Sequence, residues 1–216
     1  PLVEVIAGAA SRKDEIDKGC AFVAAIDKLP LVVKSCPGFL VNRVLGPYML
    51  GALKKLEAGT PKEKLDEAAR VFGMPMGPIE LADTVGLDVI AHVGKILGSS
   101  ADGTELDRLV KAGNLGKKSG KGFYEWREGK AQKAEGVAYE TMELQKLGRE
   151  LVEPLMQEAE RARDDGIVAN ADLVDAGVIF GTGFAPFRGG PLNFRAAEAM
   201  KASKALPQAA MPTAAE

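Results

Sequence analysis

The period of the apolar positions alternates over the first 36 residues and is helical beyond them. Leu2-Val3-Glu4-Val5-Ile6 reads as a strand; Ile16, Cys20, Phe22, Val23 and Ile26 then recur at helical spacing, and a β-branched run, Leu31-Val32-Val33, follows Pro30. Ser11, with Asp14 three positions on, has the form of a capping box opening that helix. Residues 1–36 therefore predict strand, helix, strand. Two strands alone make a poor sheet, so this is expected to be a unit of a larger α/β sheet.

From Pro37 onward the pattern is helical. Phe39 to Glu57 carries apolar residues at helical spacing and stops at Gly59. Thr60-Pro61-Lys62-Glu63 supplies a cap, a proline at the first helical position and a capping-box glutamate. Gly77-Pro78 predicts a helix running through Ile90 and His92 towards Leu97, and Leu106 to Lys111 a short one. Residues 114–126, NLGKKSGKGFYEW, read as a Gly- and Lys-rich loop ending in aromatics.

The helical part repeats itself. NRVLGPYMLGALKKLEAGT, starting at Asn42, is echoed by GRELVEPLMQEAERARDDGI from Gly148: Arg43 matches Arg149, Pro47 matches Pro154 after a one-residue slip, and Gly59 matches Gly166. DEAARVFGMPMGP (66–78) returns as DAGVIFGTGFAPFRGGP (175–191). The expected organisation is a strand-helix-strand unit over 1–36, a helical domain over 37–127, a polar linker over 128–138, a second helical repeat over 139–205 and a tail over 206–216. The class is mainly α.

With 28 basic and 30 acidic residues among 216, the formal charge is −2, which gives no polyanion-binding surface and argues against a nucleic-acid partner. Cys20, Cys36 and the lone His92 are too few for a zinc site, so both thiols are expected to be buried in a reducing compartment. No apolar run approaches the roughly 20 residues of a membrane span, and no secretory leader is evident. A cytoplasmic protein is expected. Gly181-Thr182-Gly183-Phe184-Ala185-Pro186 approaches a dinucleotide fingerprint but ends in proline at the start of a helical-repeat loop, and is rejected as one.

Four motifs in order, PLVEVI, VVKSCPGFLVNRVLGPY, FGMPMGPIELADTVGLD and GKKSGKGFYEW, resemble the C-terminal part of NAD-dependent L-3-hydroxyacyl-CoA dehydrogenases of fatty acid β-oxidation. The doubled helical unit resembles the multifunctional β-oxidation α-subunit, and implies two tandem domains of the 6-phosphogluconate-dehydrogenase C-terminal type behind a remnant of a Rossmann domain. The resemblance implies that Glu4 is the buried glutamate orienting a catalytic histidine, and that Asn42 is the amide that hydrogen-bonds the substrate oxygen. It further implies that Lys118 reaches the NAD cofactor, and that Phe180 stands where relatives place a substrate-facing tyrosine, so any contact there is apolar.

The family's His-Phe-Phe-Asn-Pro stretch and its Gly-x-Gly-x-x-Gly loop lie upstream of PLVEVI and are not in this sequence, so the 216 residues by themselves are expected not to transfer hydride. Gly148 replaces Asn42 in the second repeat, which makes that repeat a structural partner. Arg43, copied as Arg149, is read as structural, and His92 as an ordinary helix residue. An acyl-CoA substrate, a thiolase subunit or homo-oligomer as partner, and a rival role as a non-catalytic assembly module complete the expectations.

Overall fold

Strand β1 (Leu2–Ala7), helix α1 (Lys13–Ala25) and strand β2 (Leu29–Lys34) form the expected unit, with the strands parallel and Glu4 opposite Leu31. The computed structural model describes residues 1–134 and 138–205. The expected capping box is not formed: Ser11 Oγ accepts from the Gly8 amide, and α1 starts without a side-chain cap. Leu31 and Val33 turn inward and are buried, whereas Val32, Phe22 and Ile26 are exposed. One flank of this unit is thus apolar and open.

The first helical repeat comprises α2 (Val41–Glu57), α3 (Lys62–Phe72), α4 (Pro78–Val85), α5 (Leu87–Ile96) and α6 (Glu105–Lys111). Thr60 does not cap α3; Pro61 occupies the boundary and no side chain closes it. The single helix expected from Pro78 to Leu97 is two. Gly86, at φ 108° and ψ 127°, separates α4 from α5, in a conformation that a residue with a Cβ resists. The second repeat has α7 (Thr141–Asp164), α8 (Ala171–Thr182) and α9 (Pro191–Ala205), counterparts of α2, α3 and α4.

Both repeats are held by one device. Asp66, at the head of the first motif copy, accepts from the Ile79 and Glu80 amides at the start of α4; Asp175, at the head of the second, accepts from the Leu192 and Asn193 amides at the start of α9. A carboxylate on one helix thereby satisfies orphan donors of the next. The segments MPMGP and FAPFRGGP serve this purpose, setting a proline-started helix onto a buried acid.

The repeats pack as a pair, α2 and α3 both lying against α7, in one continuous core that includes Val44, Tyr48, Leu151 and Leu155. Arg43 reaches across to Glu158 at 2.7 Å and Asp165 at 2.6 Å on and just after α7; Arg149 binds Glu198 on α9 at 2.8 Å. Both arginines are structural in this sense. Gly148 is buried where α7 crosses α3: an added Cβ would come within 2.3 Å of the Ala68 carbonyl oxygen. Gly148→Ala should therefore cost about 1–3 kcal/mol through overpacking, despite alanine's better helix propensity. Urea denaturation of the two proteins checks this. An unchanged midpoint would show that α7 and α3 can part freely.

The segment expected to be a linker begins as structure. Strand β3 (Glu125–Arg127) turns at Glu128-Gly129 and pairs antiparallel with β4 (Lys130–Gln132). Its polarity reflects exposure on a hairpin and not a free chain; residues 135–137 of the segment, and the tail 206–216, lie outside the described residues. The hairpin is anchored at Asp83 in α4. Its fully buried carboxylate accepts from the Phe123 amide at 2.9 Å, the Tyr124 amide at 2.8 Å and the Trp126 indole at 3.0 Å. Among the described residues, no helix is long and apolar enough to cross a membrane.

Candidate functional site

Helix α2 begins with no cap of its own. Glu4 supplies one from β1: its Oε1 accepts from the Leu40 amide at 2.8 Å and the Val41 amide at 3.2 Å. The arrangement explains an acid inside an otherwise apolar strand, since the first turn of a helix offers unpaired N–H groups and a partial positive charge. Glu4 Oε2 has no hydrogen-bond partner among the described residues and is left for a further donor. Burial pushes the Glu4 carboxyl above its ordinary value of 4.5, and the two amides pull it part of the way back.

The sign of that shift sets a pH test. An acid whose folded pKa is raised contributes stability that is present below the unfolded value and is lost as pH rises through the folded one. Glu4→Gln keeps an oxygen acceptor for both amides but cannot ionise. Its stability relative to the parent should therefore improve as pH rises from 4.5 towards neutrality. Asp66 and Asp175 are shifted upward too, chiefly by burial, so the difference between the two proteins is the quantity to follow in urea titrations. A difference that is flat or falls over this range would show that the amides outweigh burial.

Asn42 lies in the same first turn, next to Val41. Its side chain is exposed and makes no hydrogen bond among the described residues, so its amide is not spent on its own backbone. It stands at one end of a groove of about 1090 Å³ between α2 and α5. Leu45, Leu50 and Leu53 of α2 face Ile90, Val93 and Leu97 across it, with Leu81 and Val85 of α4 beside them. The near end holds Cys36, whose thiol donates to the Phe39 carbonyl at 3.3 Å, and the far end holds Glu57, Asp102 and Thr104. Contrary to expectation, neither cysteine is buried: Cys20 and Cys36 are both partly exposed free thiols.

The other two residues singled out in the sequence lie on other elements. Lys118 Nζ pairs with Asp88 Oδ1 at 2.5 Å, on an exposed turn at the start of α5, and both side chains are nearly half exposed. Phe180 is 47% exposed on α8 and lines a separate hollow with Pro1, Pro75 and Pro186. His92 is exposed on α5 and lines neither cavity. The fold thus joins Glu4 and Asn42 through one helical turn; Lys118 is paired with Asp88, and Phe180 faces the hollow beside Pro1, next to Gly181, which packs against Val41 and Leu2. Of the buried acids that hold the frame, Asp66 and Asp175 carried one signal in the sequence, an aspartate at the head of both copies of the repeated motif, and Asp83 carried none.

Comparison with known proteins gives three findings. Residues 38–126 match the family model for the 3-hydroxyacyl-CoA dehydrogenase C-terminal domain. The chain is 40% identical over 207 residues to the fatty acid oxidation complex subunit alpha of Vibrio cholerae, and 39% identical over 215 residues to that of Pseudomonas aeruginosa. Each match takes in 90% of this chain, which spans only 29% and 30% of the respective relatives. Among solved structures, 3-hydroxybutyryl-CoA dehydrogenase from Escherichia coli superposes with a TM-score of 0.76 over 91% of this chain and 60% of its own, at 23% identity, a likeness of fold. Mycobacterium tuberculosis FadB2 is 34% identical, with a TM-score of 0.55, over 59% of this chain and 48% of its own.

Proposed function

Since the chain carries, over residues 38–126, the C-terminal domain of 3-hydroxyacyl-CoA dehydrogenases, we propose that it is the substrate-side part of an NAD-dependent L-3-hydroxyacyl-CoA dehydrogenase of fatty acid oxidation. The observation that carries the reading is the first turn of α2, where Glu4 holds the backbone with one carboxylate oxygen and Asn42 presents an unspent amide at the mouth of an apolar groove. Asn42 Nδ2 donates to the oxygen on C3 of the substrate and holds the charge that builds there as the hydroxyl proton leaves. Glu4 Oε2 is free to accept from an imidazole, fixing its orientation and stabilising its protonated form. His92 does not serve as that imidazole, because it is exposed on α5.

NAD, when bound, supplies the hydride acceptor. From this chain the reading assigns only Lys118 towards it, as an exposed cation beside Asp88. The turn between β1 and α1, Gly8 to Arg12, has no Gly-x-Gly-x-x-Gly run to cradle a diphosphate. The open apolar flank formed by Phe22, Ile26 and Val32 suits burial under further elements of a dinucleotide-binding sheet. The 216-residue chain given NAD and 3-hydroxybutyryl-CoA is therefore expected to form no NADH above the uncatalysed rate, while binding the thioester saturably and more weakly after Asn42→Ala. NADH formation at an enzyme-like rate would overturn the division of labour, and absence of any thioester binding would overturn the reading itself.

The internal pairing of α2 and α3 with α7 favours a second reading, a non-catalytic assembly module whose repeats satisfy each other's interface. A monomer in sedimentation supports internal pairing. The curated relatives are named as subunits of a complex, and we extend that to this chain as a thiolase subunit partner in the cytoplasm.

A further inference from the structure

The turn that presents Asn42 is strained, and much of what holds it comes from the second repeat. Phe39, three positions before Asn42, stands at φ 51°, in the left-handed region that a bulky side chain avoids. Such a conformation persists only where its surroundings over-determine it. The first repeat supplies one restraint, Leu97 at the end of α5, packed on Gly38 and Gly46. The second repeat supplies two more. Arg43, the residue after Asn42, is held by Glu158 at 2.7 Å and Asp165 at 2.6 Å, and its side chain and that of Glu158 are largely buried. Helix α8 lays Gly177 and Gly181, one turn apart on one face, against the two residues whose amides Glu4 caps. An added Cβ at Gly181 would meet Val41 Cγ2 at 2.4 Å, and one at Gly177 would meet Leu40 Cδ2 at 2.6 Å.

Resting on the dehydrogenase reading, we propose that the second repeat is a positioning element for the reaction: α7 and α8 fix the first turn of α2, so that the Asn42 amide and the Glu4 carboxylate keep the geometry that substrate and imidazole require. Arg43, Gly177 and Gly181 act through that turn and touch no reacting atom. The glycines make the contact possible, because α8 reaches Leu40 and Val41 this closely only without side chains at 177 and 181. Val41 is β-branched and stiff at χ1, so it gives way less easily than the leucine ends that face Gly177. Gly181 is therefore the sensitive position. The second repeat thus serves the site although Gly148 stands at its own Asn42 position.

Three substitutions separate positioning from packing, since each adds one methyl group to a helical glycine of the second repeat. Gly181→Ala presses hard on the Asn42 turn, Gly177→Ala presses on it more softly, and Gly148→Ala presses on α3 at the Ala68 carbonyl. Amide hydrogen exchange by NMR on the 216-residue chain reads the turn directly. Gly181→Ala should speed exchange at Leu40 and Val41 at least about tenfold more than at Ala68 and Ala69, and Gly148→Ala should do the reverse. The catalytic readout uses the chain joined at Pro1 to the preceding portion of the Vibrio cholerae relative. There Gly181→Ala should lower kcat about 10- to 100-fold and change KM less than about fivefold, because a misplacement of about 1 Å costs up to about 10²-fold in rate. Gly177→Ala should fall between, and Gly148→Ala should leave kcat within about twofold, as a site remote from the turn. In an Asn42→Ala background, Gly181→Ala should cost less than about threefold more, since the amide it misplaces is gone. Should Gly181→Ala not fold, Glu158→Ala loosens Arg43 without adding bulk, and the same two contrasts apply to it. Exchange that rises equally at both places, or a kcat loss as large in Gly148→Ala or in the Asn42→Ala background, overturns the proposal and leaves the dehydrogenase reading standing. A joined parent with no activity overturns that reading and this proposal with it.

Discussion

Asp83→Ala should unfold much of the first helical repeat. The substitution removes one fully buried carboxylate and strands three donors at once, the buried Phe123 and Tyr124 amides and the half-buried Trp126 indole. Each unsatisfied buried donor costs about 1–3 kcal/mol, so the two buried amides alone cost about 2–6 kcal/mol. That is a large share of the 5–15 kcal/mol that holds a typical domain together. Asp83→Asn tests the chemistry separately from the volume. Its single carbonyl oxygen accepts where two oxygens accepted, while its new NH2 group faces backbone donors, so it should rescue less than half of the loss. Denaturant midpoints measure both, and Trp126 fluorescence reports the hairpin directly. If Asp83→Ala melts within about 1 kcal/mol of the parent, water reaches those donors and the anchor is dispensable.

The sequence exposed the architecture because the architecture repeats. Two copies of a proline-containing helix, each followed by an aspartate-led motif and a glycine-proline step, were visible in the sequence, and the structure aligns them as α2 with α7, α3 with α8 and α4 with α9. The reason for each conserved spacing was not visible. Asp66 and Asp175 looked like ordinary first residues of a motif, and only their bonds to α4 and α9 show that they join helices. Single-residue punctuation misled in both directions. Gly86 broke a helix that periodicity continued, because apolar spacing is insensitive to one positive φ. Glu128-Gly129 turned a hairpin within a polar run that composition alone reads as a linker. Long-range capping was also out of reach, since Glu4 serves a helix that starts 36 residues later. The groove was least legible of all, because it depends on how α5 lies across α2 and not on any one residue.

Asn42→Ala should be the most damaging change to chemistry. The parent for this measurement joins the chain at Pro1 to the preceding portion of the Vibrio cholerae relative, which on the reading proposed above supplies the general base and the dinucleotide site. Removing one preorganised donor to a developing oxyanion costs about 10²–10³ in kcat, because the interaction strengthens as charge builds. KM should rise by less, about 2- to 10-fold, because one hydrogen bond to the ground-state hydroxyl is lost while the rest of the thioester is held elsewhere. Asn42→Asp, nearly the same shape, should be no better: a carboxylate accepts and cannot donate, and it faces an oxygen that is gaining negative charge. The loss should occur without loss of stability, because Asn42 is exposed and bonds nothing in the described fold, whereas removing the cap by Glu4→Ala should lower both activity and the urea midpoint. This contrast separates an amide that acts on substrate from a carboxylate that also holds the helix presenting it. Equal loss of stability in Asn42→Ala would move Asn42 into the frame of α2, and leave the groove without its reacting end.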